Sequence, residues 1–155
     1  MTLRRYQRAD AVEAAEVARA AIRVTGAEAY QPDQVAAWSA WTDEPESFAR
    51  LLAQGETWVV EQDGVVVAFA QRFPADYLNL LYTHPTANRQ GFASQLYSVL
   101  ETGAIANGVT AFMTKASHLS RPFFAKHGWQ LDEREVVERD GVRIERFAMS
   151  KRLKP

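Results

Sequence analysis

A chain of 155 residues, 47% apolar and 24% charged, suits one soluble globular domain with a single core and leaves little room for a second. A net charge of −1 supplies no broad basic surface for nucleic acid, and no apolar stretch approaches the roughly 20 residues of a membrane helix. The lack of cysteine excludes disulfides, thiolate metal ligands and a cysteinyl intermediate; with no apolar run after MTLRRYQRAD to make a leader, the expected location is cytoplasmic.

TLRRY predicts a short first strand. Asp10 then opens a helix, with Glu13 in capping-box position and Val12, Ala15, Ala18 and Ile22 on one face. A second short helix follows Pro32 and carries Val35, Trp38 and Trp41. A third runs from Pro45 to Gln54, with Phe48, Leu51 and Leu52 inward. The period then changes. TWVVEQ and VVVAFAQRF flank Asp63-Gly64, a two-residue hairpin signal, and YLNLLYTH after Pro74 continues as a third, antiparallel strand.

The loop HPTANRQGFASQL leads into a helix of about four turns, with Phe92, Leu96, Val99, Leu100 and Gly103 on one stripe and a C-cap near Asn107-Gly108. TAFMTK is the next strand, so strand, helix and strand form a right-handed parallel crossover. Ser117 or Ser120 caps a short helix containing Phe123 and Phe124, confined by Pro122 and closed by Gly128. WQLDEREVVER and VRIERFAMS are joined by Asp140-Gly141 as a second hairpin, whose exposed strand offers an edge for a homodimer. The expected fold class is α/β (α+β): one domain over residues 1–155, a mixed, mostly antiparallel sheet with helices on both faces.

The loop at HPTANRQGFASQL leaves a strand and starts a helix, where unpaired backbone N–H groups and a partial positive charge attract phosphate. Gly91 admits a ligand close to the backbone, Ala93 keeps the first turn narrow, and Arg89 can add a bidentate contact. There is no Gly-Lys-Ser/Thr and no three-glycine fingerprint. Taken alone, the glycine reads either as a phosphate cradle or as a helix cap.

Together, the element order, LYTHPTANRQGFASQLYSVLE and TKASHLSRPFFAKHGW resemble the GNAT superfamily of acyl-CoA N-acetyltransferases. NRQGFA at 88–93 is similar to its pyrophosphate motif, Gln/Arg-x-x-Gly-x-Gly/Ala, with Asn88 replacing the long first side chain and Arg89 beside it. The second block resembles the family's Asn…Phe-Tyr-x-x-x-Gly-Phe segment, with Ser117 at the asparagine position. The resemblance covers most of residues 57–130. It points to the YafP-like subgroup, in which AS…RPFF…HG and an N-terminal Y…Q…W helix recur.

The resemblance implies direct transfer from acetyl-CoA, as co-substrate, to an amine, with no covalent enzyme intermediate and no metal. It assigns Leu81 and Thr83 to the pantetheine arm, and Asn88, Arg89, Gln90, Gly91, Phe92, Ala93 and Ser94 to the pyrophosphate. Ser117 and Phe124 join them from the second block. Many relatives place a tyrosine general acid where this chain has Phe124. The leaving thiolate then takes its proton from water, or from Ser117 or Tyr82. A backbone N–H at the level of Leu81 and Thr83 can stabilise the oxyanion.

By strand alternation Tyr77, Asn79, Leu81 and Thr83 share one face. Asn79 either orients a water or the substrate, or satisfies an edge hydrogen bond; Asp76 is either the base or a solvated turn residue. His84, His118 and His127 lack metal-ligand spacing, and the Gly-x-Ser-x-Gly elbow of a hydrolase is missing. Tyr30 and Trp38 on the N-terminal helices, with Tyr77, are the candidate acceptor contacts, and their rings suit a small-molecule amine. Trp41 reads better as core packing. An acyl-CoA-binding sensor or interaction module without turnover is the alternative, argued by Phe124 and Asn88.

Overall fold

Among residues 1–154, which the computed structural model describes, seven strands and five α-helices follow one another in the predicted order. They are β1 (Thr2–Arg5), α1 (Ala11–Ala20), α2 (Pro32–Ser39), α3 (Pro45–Leu52), β2 (Glu56–Gln62), β3 (Val65–Arg72) and β4 (Tyr77–Thr83), then α4 (Phe92–Ala106), β5 (Ala111–Ala116), α5 (Arg121–Lys126), β6 (Gln130–Arg139) and β7 (Val142–Arg152). The strands form one sheet in the order β1-β2-β3-β4-β5-β7-β6. Only β4 and β5 pair in parallel, as the crossover through α4 requires. Both Asp-Gly turns take positive φ at both residues, 54° and 79° at Asp63-Gly64 and 50° and 78° at Asp140-Gly141, which matches two-residue hairpins.

Helices cover both faces. On one, Phe92, Leu96 and Leu100 of α4 pack with Leu78, Phe112, Phe124, Trp129 and Phe147. On the other, Ala14, Val17 and Ala18 of α1 and Phe48 and Leu52 of α3 pack on Val59, Phe69 and Leu80. Ile22, Tyr30 and Val35 close over Ile144 of β7. Ala15, Ala18 and Ile22 are buried as expected, but Val12 is 79% exposed. The contact face is shifted because Ala14 and Ala18, both fully buried, let α1 sit close on the sheet. Glu13 does not return to Asp10. Its carboxylate accepts the Val66 N–H at 2.6 Å, while Asp10 pairs with Arg4 and accepts the Gln7 N–H at 2.8 Å.

Glu56 sits under the C-terminal half of α4, against Gly103, where any Cβ would collide with its carboxylate. Arg72 donates to Glu56 Oε1 through Nε and Nη2, at 2.9 and 2.8 Å, to the Ala75 carbonyl at 2.8 Å and to Asn107 Oδ1 at 2.7 Å. This buried pair ties β2, β3 and the end of α4 together.

β4 is irregular along both of its edges. The β3–β4 register runs Gln71↔Leu80 and then Arg72↔Leu78, so Asn79 is a bulged residue with no partner opposite. Beside β5, pairing is confined to Tyr77↔Met113 and Leu78↔Thr114. From Asn79 onward the two parallel strands part, and that edge of β4 faces no strand.

Candidate active site

The bulge overturns the simple alternation. Leu78 and Leu81 pack with the α4 cluster, while Leu80 and Tyr82 pack with the α1–α3 cluster. Asn79 donates through Nδ2 to Gln71 Oε1 at 2.9 Å, and Gln71, fully buried, donates onward to the Leu51 and Gln54 carbonyls of the α3 end. Asn79 therefore lies on the α1–α3 side and does not share a face with Leu81. Asn79→Ala should orphan a buried amide oxygen and lower unfolding free energy by about 1–3 kcal/mol, read by urea titration.

The loop after β4 ends in two left-handed residues, Arg89 at φ 64° and Gly91 at φ 80°. Gly91 is the N-cap of α4, and no side chain caps the helix. The first helical bond runs from Gln95 N–H to the Gly91 carbonyl at 3.1 Å, leaving the N–H groups of Phe92, Ala93 and Ser94 without helical acceptors. A Cβ on Gly91 would meet nothing within 4 Å, so open space lies over the backbone there. Arg89 is exposed and has no carboxylate partner among the described residues. Asn88 is exposed beside it, and Gln90 accepts from Gln62 Nε2 at 2.9 Å. The Phe92 ring is in the core, so it can offer an anion only its backbone. An uncapped helix start, open space and a free guanidinium make a fitting cradle for a pyrophosphate.

Several expected residues sit elsewhere. β4 runs toward this loop, so Asp76, which precedes the strand, lies about 20 Å away at its closed end, exposed, its carbonyl accepting from Met113. Tyr77 is at the same end, near Arg146 and Glu135, with burial pushing its hydroxyl pKa up; it does not join Tyr30 and Trp38. Phe124 is 2% exposed, packed against Phe123 and Trp129, and presents no surface to a ligand. Ser117 Oγ accepts from the N–H groups of Leu119 and Ser120 at 3.2 and 3.0 Å, while Ser120 Oγ accepts the Ser117 N–H at 2.9 Å. The two serines close the turn before α5 on each other; Ser120 is the N-cap of α5 but makes no side-chain cap bond, so neither hydroxyl caps the helix as the sequence suggests.

Tyr30 and Trp38 do come together, with ring centroids 5.3 Å apart. Tyr30 is nearly buried, and its hydroxyl donates to the Glu145 carbonyl at 3.2 Å and accepts the His118 N–H at 2.9 Å. It thus replaces the ladder bond that β5 and β7 would make if their register, ending at Ala116↔Phe147, ran two residues further. Tyr30 also borders a cavity of about 620 Å³ between the α1–α2 connection and α2, none of whose walls comes from β4 or β5. Trp41 stacks on Phe48 at 5.1 Å as core packing. Burial pushes the Tyr82 hydroxyl up to about 12, opposed by its Trp38 neighbour, so it stays protonated at ordinary pH and can donate but not accept a proton.

His118 and Glu145 carry no motif that singles them out along the chain. Their side chains meet at 2.7 Å, Nε2 to Oε1. Extending the β5–β7 register by two residues sets them opposite one another, but that pairing is legible only once β7 is known to lie beside β5. Among the described residues there is no cluster of metal-binding side chains and no helix long and apolar enough to cross a membrane.

A family model described as an acetyltransferase (GNAT) domain matches residues 26–153. The uncharacterized N-acetyltransferase YafP of Escherichia coli K12 is 29% identical over 153 residues, covering 99% of this chain and 95% of that protein. A GCN5-related N-acetyltransferase from Rhodopseudomonas palustris is 31% identical, with a TM-score of 0.95 over 98% of this chain and 95% of its own. The fold is also that of YncA from Salmonella typhimurium, solved with its cofactor acetyl-CoA, at 20% identity and a TM-score of 0.67, over 100% of this chain and 95% of its own.

Proposed function

The chain belongs to the GNAT acetyltransferase family, with acetyl-CoA as its acetyl donor, and on that premise we propose that it transfers the acetyl group directly to the amine of a small molecule. The observation that carries this reading is the opening between β4 and β5 beside an uncapped helix start. The pyrophosphate lies over Gly91 on the N–H groups of Phe92, Ala93 and Ser94, with Arg89 adding charge and Asn88 and Gln90 flanking it. The pantetheine arm runs along the free edge of β4 at Leu81 and Thr83, adding itself where a strand is missing.

Polarising the thioester asks little of side chains. A backbone N–H on β4 faces the carbonyl oxygen as negative charge develops there. Binding both reactants in one opening converts a bimolecular attack into an effectively intramolecular one. Thiolate is a good leaving group, and with Phe124 unable to give a proton, the neutral Tyr82 hydroxyl and Ser117 are the donors at hand. Tyr30 and Trp38 set an aromatic border that favours a compact, apolar or aromatic amine over a protein tail.

A panel of small amines and lysine-containing peptides at fixed acetyl-CoA, with thiol release as the readout, tests this. Thiol release is expected with small amines. Transfer to a protein lysine alone would overturn the small-molecule acceptor, and binding of acetyl-CoA without turnover on any amine would make the chain a sensor.

A further inference from the structure

The turn after β5 holds a group of side chains that binding of acetyl-CoA leaves unused. His118 is two residues past the end of β5, the strand that diverges from β4. Its imidazole stands edge-on to Phe147 and Tyr30, with ring centroids 4.9 and 5.4 Å away. Its main chain is held by the Tyr30 hydroxyl, which also holds the main chain of Glu145. With Nε2 engaged by the Glu145 carboxylate at 2.7 Å, Nδ1 has no partner among the described residues. An anion that fixes one ring nitrogen in the N–H form leaves the lone pair on the other, and the ring cannot turn away from it.

The charges around this ring come from three elements. Glu145 on β7 also meets Arg134 of β6 at 3.6 Å. Arg121 of α5 and Arg134 lie over the Phe147 ring, at 4.6 and 5.7 Å from its centroid. Tyr30, from the α1–α2 connection, is the remaining titratable neighbour. His118, Tyr30, Trp38 and Tyr82 form a continuous row from the turn after β5 back to β4.

We propose that His118, oriented by Glu145, is the general base that takes the proton from the acceptor amine; the assignment rests on the acetyltransferase reading. His118 Nδ1 accepts one proton from the ammonium R–NH3⁺. The freed lone pair forms the C–N bond at the thioester carbon, the C–S bond breaks, and sulfur leaves with the bonding pair. A second proton from the amine nitrogen ends on sulfur, giving the amide and coenzyme A thiol, and the imidazolium returns its proton to solvent. Glu145 is a positioning residue, because it acts only through the ring.

The test is His118→Gln, assayed by thiol release with the best acceptor of the amine panel, beginning with 2-phenylethylamine. The variant should keep the wild-type melting temperature, acetyl-CoA stabilisation and KM for acetyl-CoA. Its kcat should fall at least about 100-fold, and the acid limb of kcat/KM for the amine should disappear. If the glutamine disturbs folding, Glu145→Gln gives the second reading, a lower kcat with the imidazole still in place. A kcat within about threefold of wild type and an unchanged acid limb overturn the His118 assignment alone. A wild type that binds acetyl-CoA but releases no thiol with any amine overturns the parent reading and takes the assignment with it.

Discussion

Gly91→Val abolishes the stabilisation that acetyl-CoA gives the wild-type protein. At a hundred times its dissociation constant a ligand bound only to the folded state adds about 2.7 kcal/mol. For a domain of this length that is a rise in melting temperature of roughly 5–11 °C. Gly91 sits at φ 80° with nothing within 4 Å of where a Cβ would project, so valine points into open space. It fills the volume that a pyrophosphate would occupy and strains the left-handed backbone, by about 1–3 kcal/mol. The unliganded variant therefore melts lower than wild type, and each protein is compared with its own baseline. Differential scanning fluorimetry gives the answer: a rise in the wild type and none in the variant. A rise of about 5 °C or more that survives in the variant would show that the loop is only a helix cap.

Glu56→Ala has the largest expected effect on stability. The side chains of Arg72 and Glu56 are 7% and 14% exposed, and removing one partner of such a pair leaves the other charge buried without its counter-ion. Arg72 would keep Ala75 and Asn107 but lose both bonds to Oε1, and the Trp58 indole N–H would lose its acceptor, Oε2. Losses in such cases run from about 3 to 5 kcal/mol. The low end applies here, because a cavity of about 430 Å³ beside the pair admits water to the guanidinium. The expected change is about 3 kcal/mol, or roughly 6–12 °C in melting temperature. Urea titration with an unchanged slope would attribute it to the native state; a loss under about 1 kcal/mol would mean that Arg72 is already hydrated.

What the sequence reveals and what it hides divide along a physical line. The hairpins at Asp63-Gly64 and Asp140-Gly141, the helix starts at Pro32 and Pro45 and the loop at Gly91 are local, since each follows from dihedral preferences of one or two residues. The bulge at Asn79 is not. It is a mismatch between two strands, and a period-2 pattern read along one strand passes straight through it. Val12 shows the same limit: helical spacing gives several candidate stripes, and the two alanines that let α1 approach the sheet decide among them. His118 and Glu145 depend on β7 inserting between β5 and β6, a choice made by the whole sheet. Phe124 marks a different limit: a motif's spacing locates the residue, but packing turns its ring to the core.

The strand order also sets a timetable for synthesis. β6 is made before β7 yet occupies the outer edge of the sheet and pairs only with β7, so neither strand can cover β5 until β7 is made. From the moment Ala116 leaves the ribosome until Arg152 follows, the outward edge of β5 has no neighbour. At ordinary elongation rates that interval is roughly 2–7 s, long compared with collapse of the preceding segment. During it, β5 is an open template for strands of other nascent chains. The alternation along β5, with Ala111, Met113 and Lys115 turned to solvent, places a cation on that vulnerable strand while it waits.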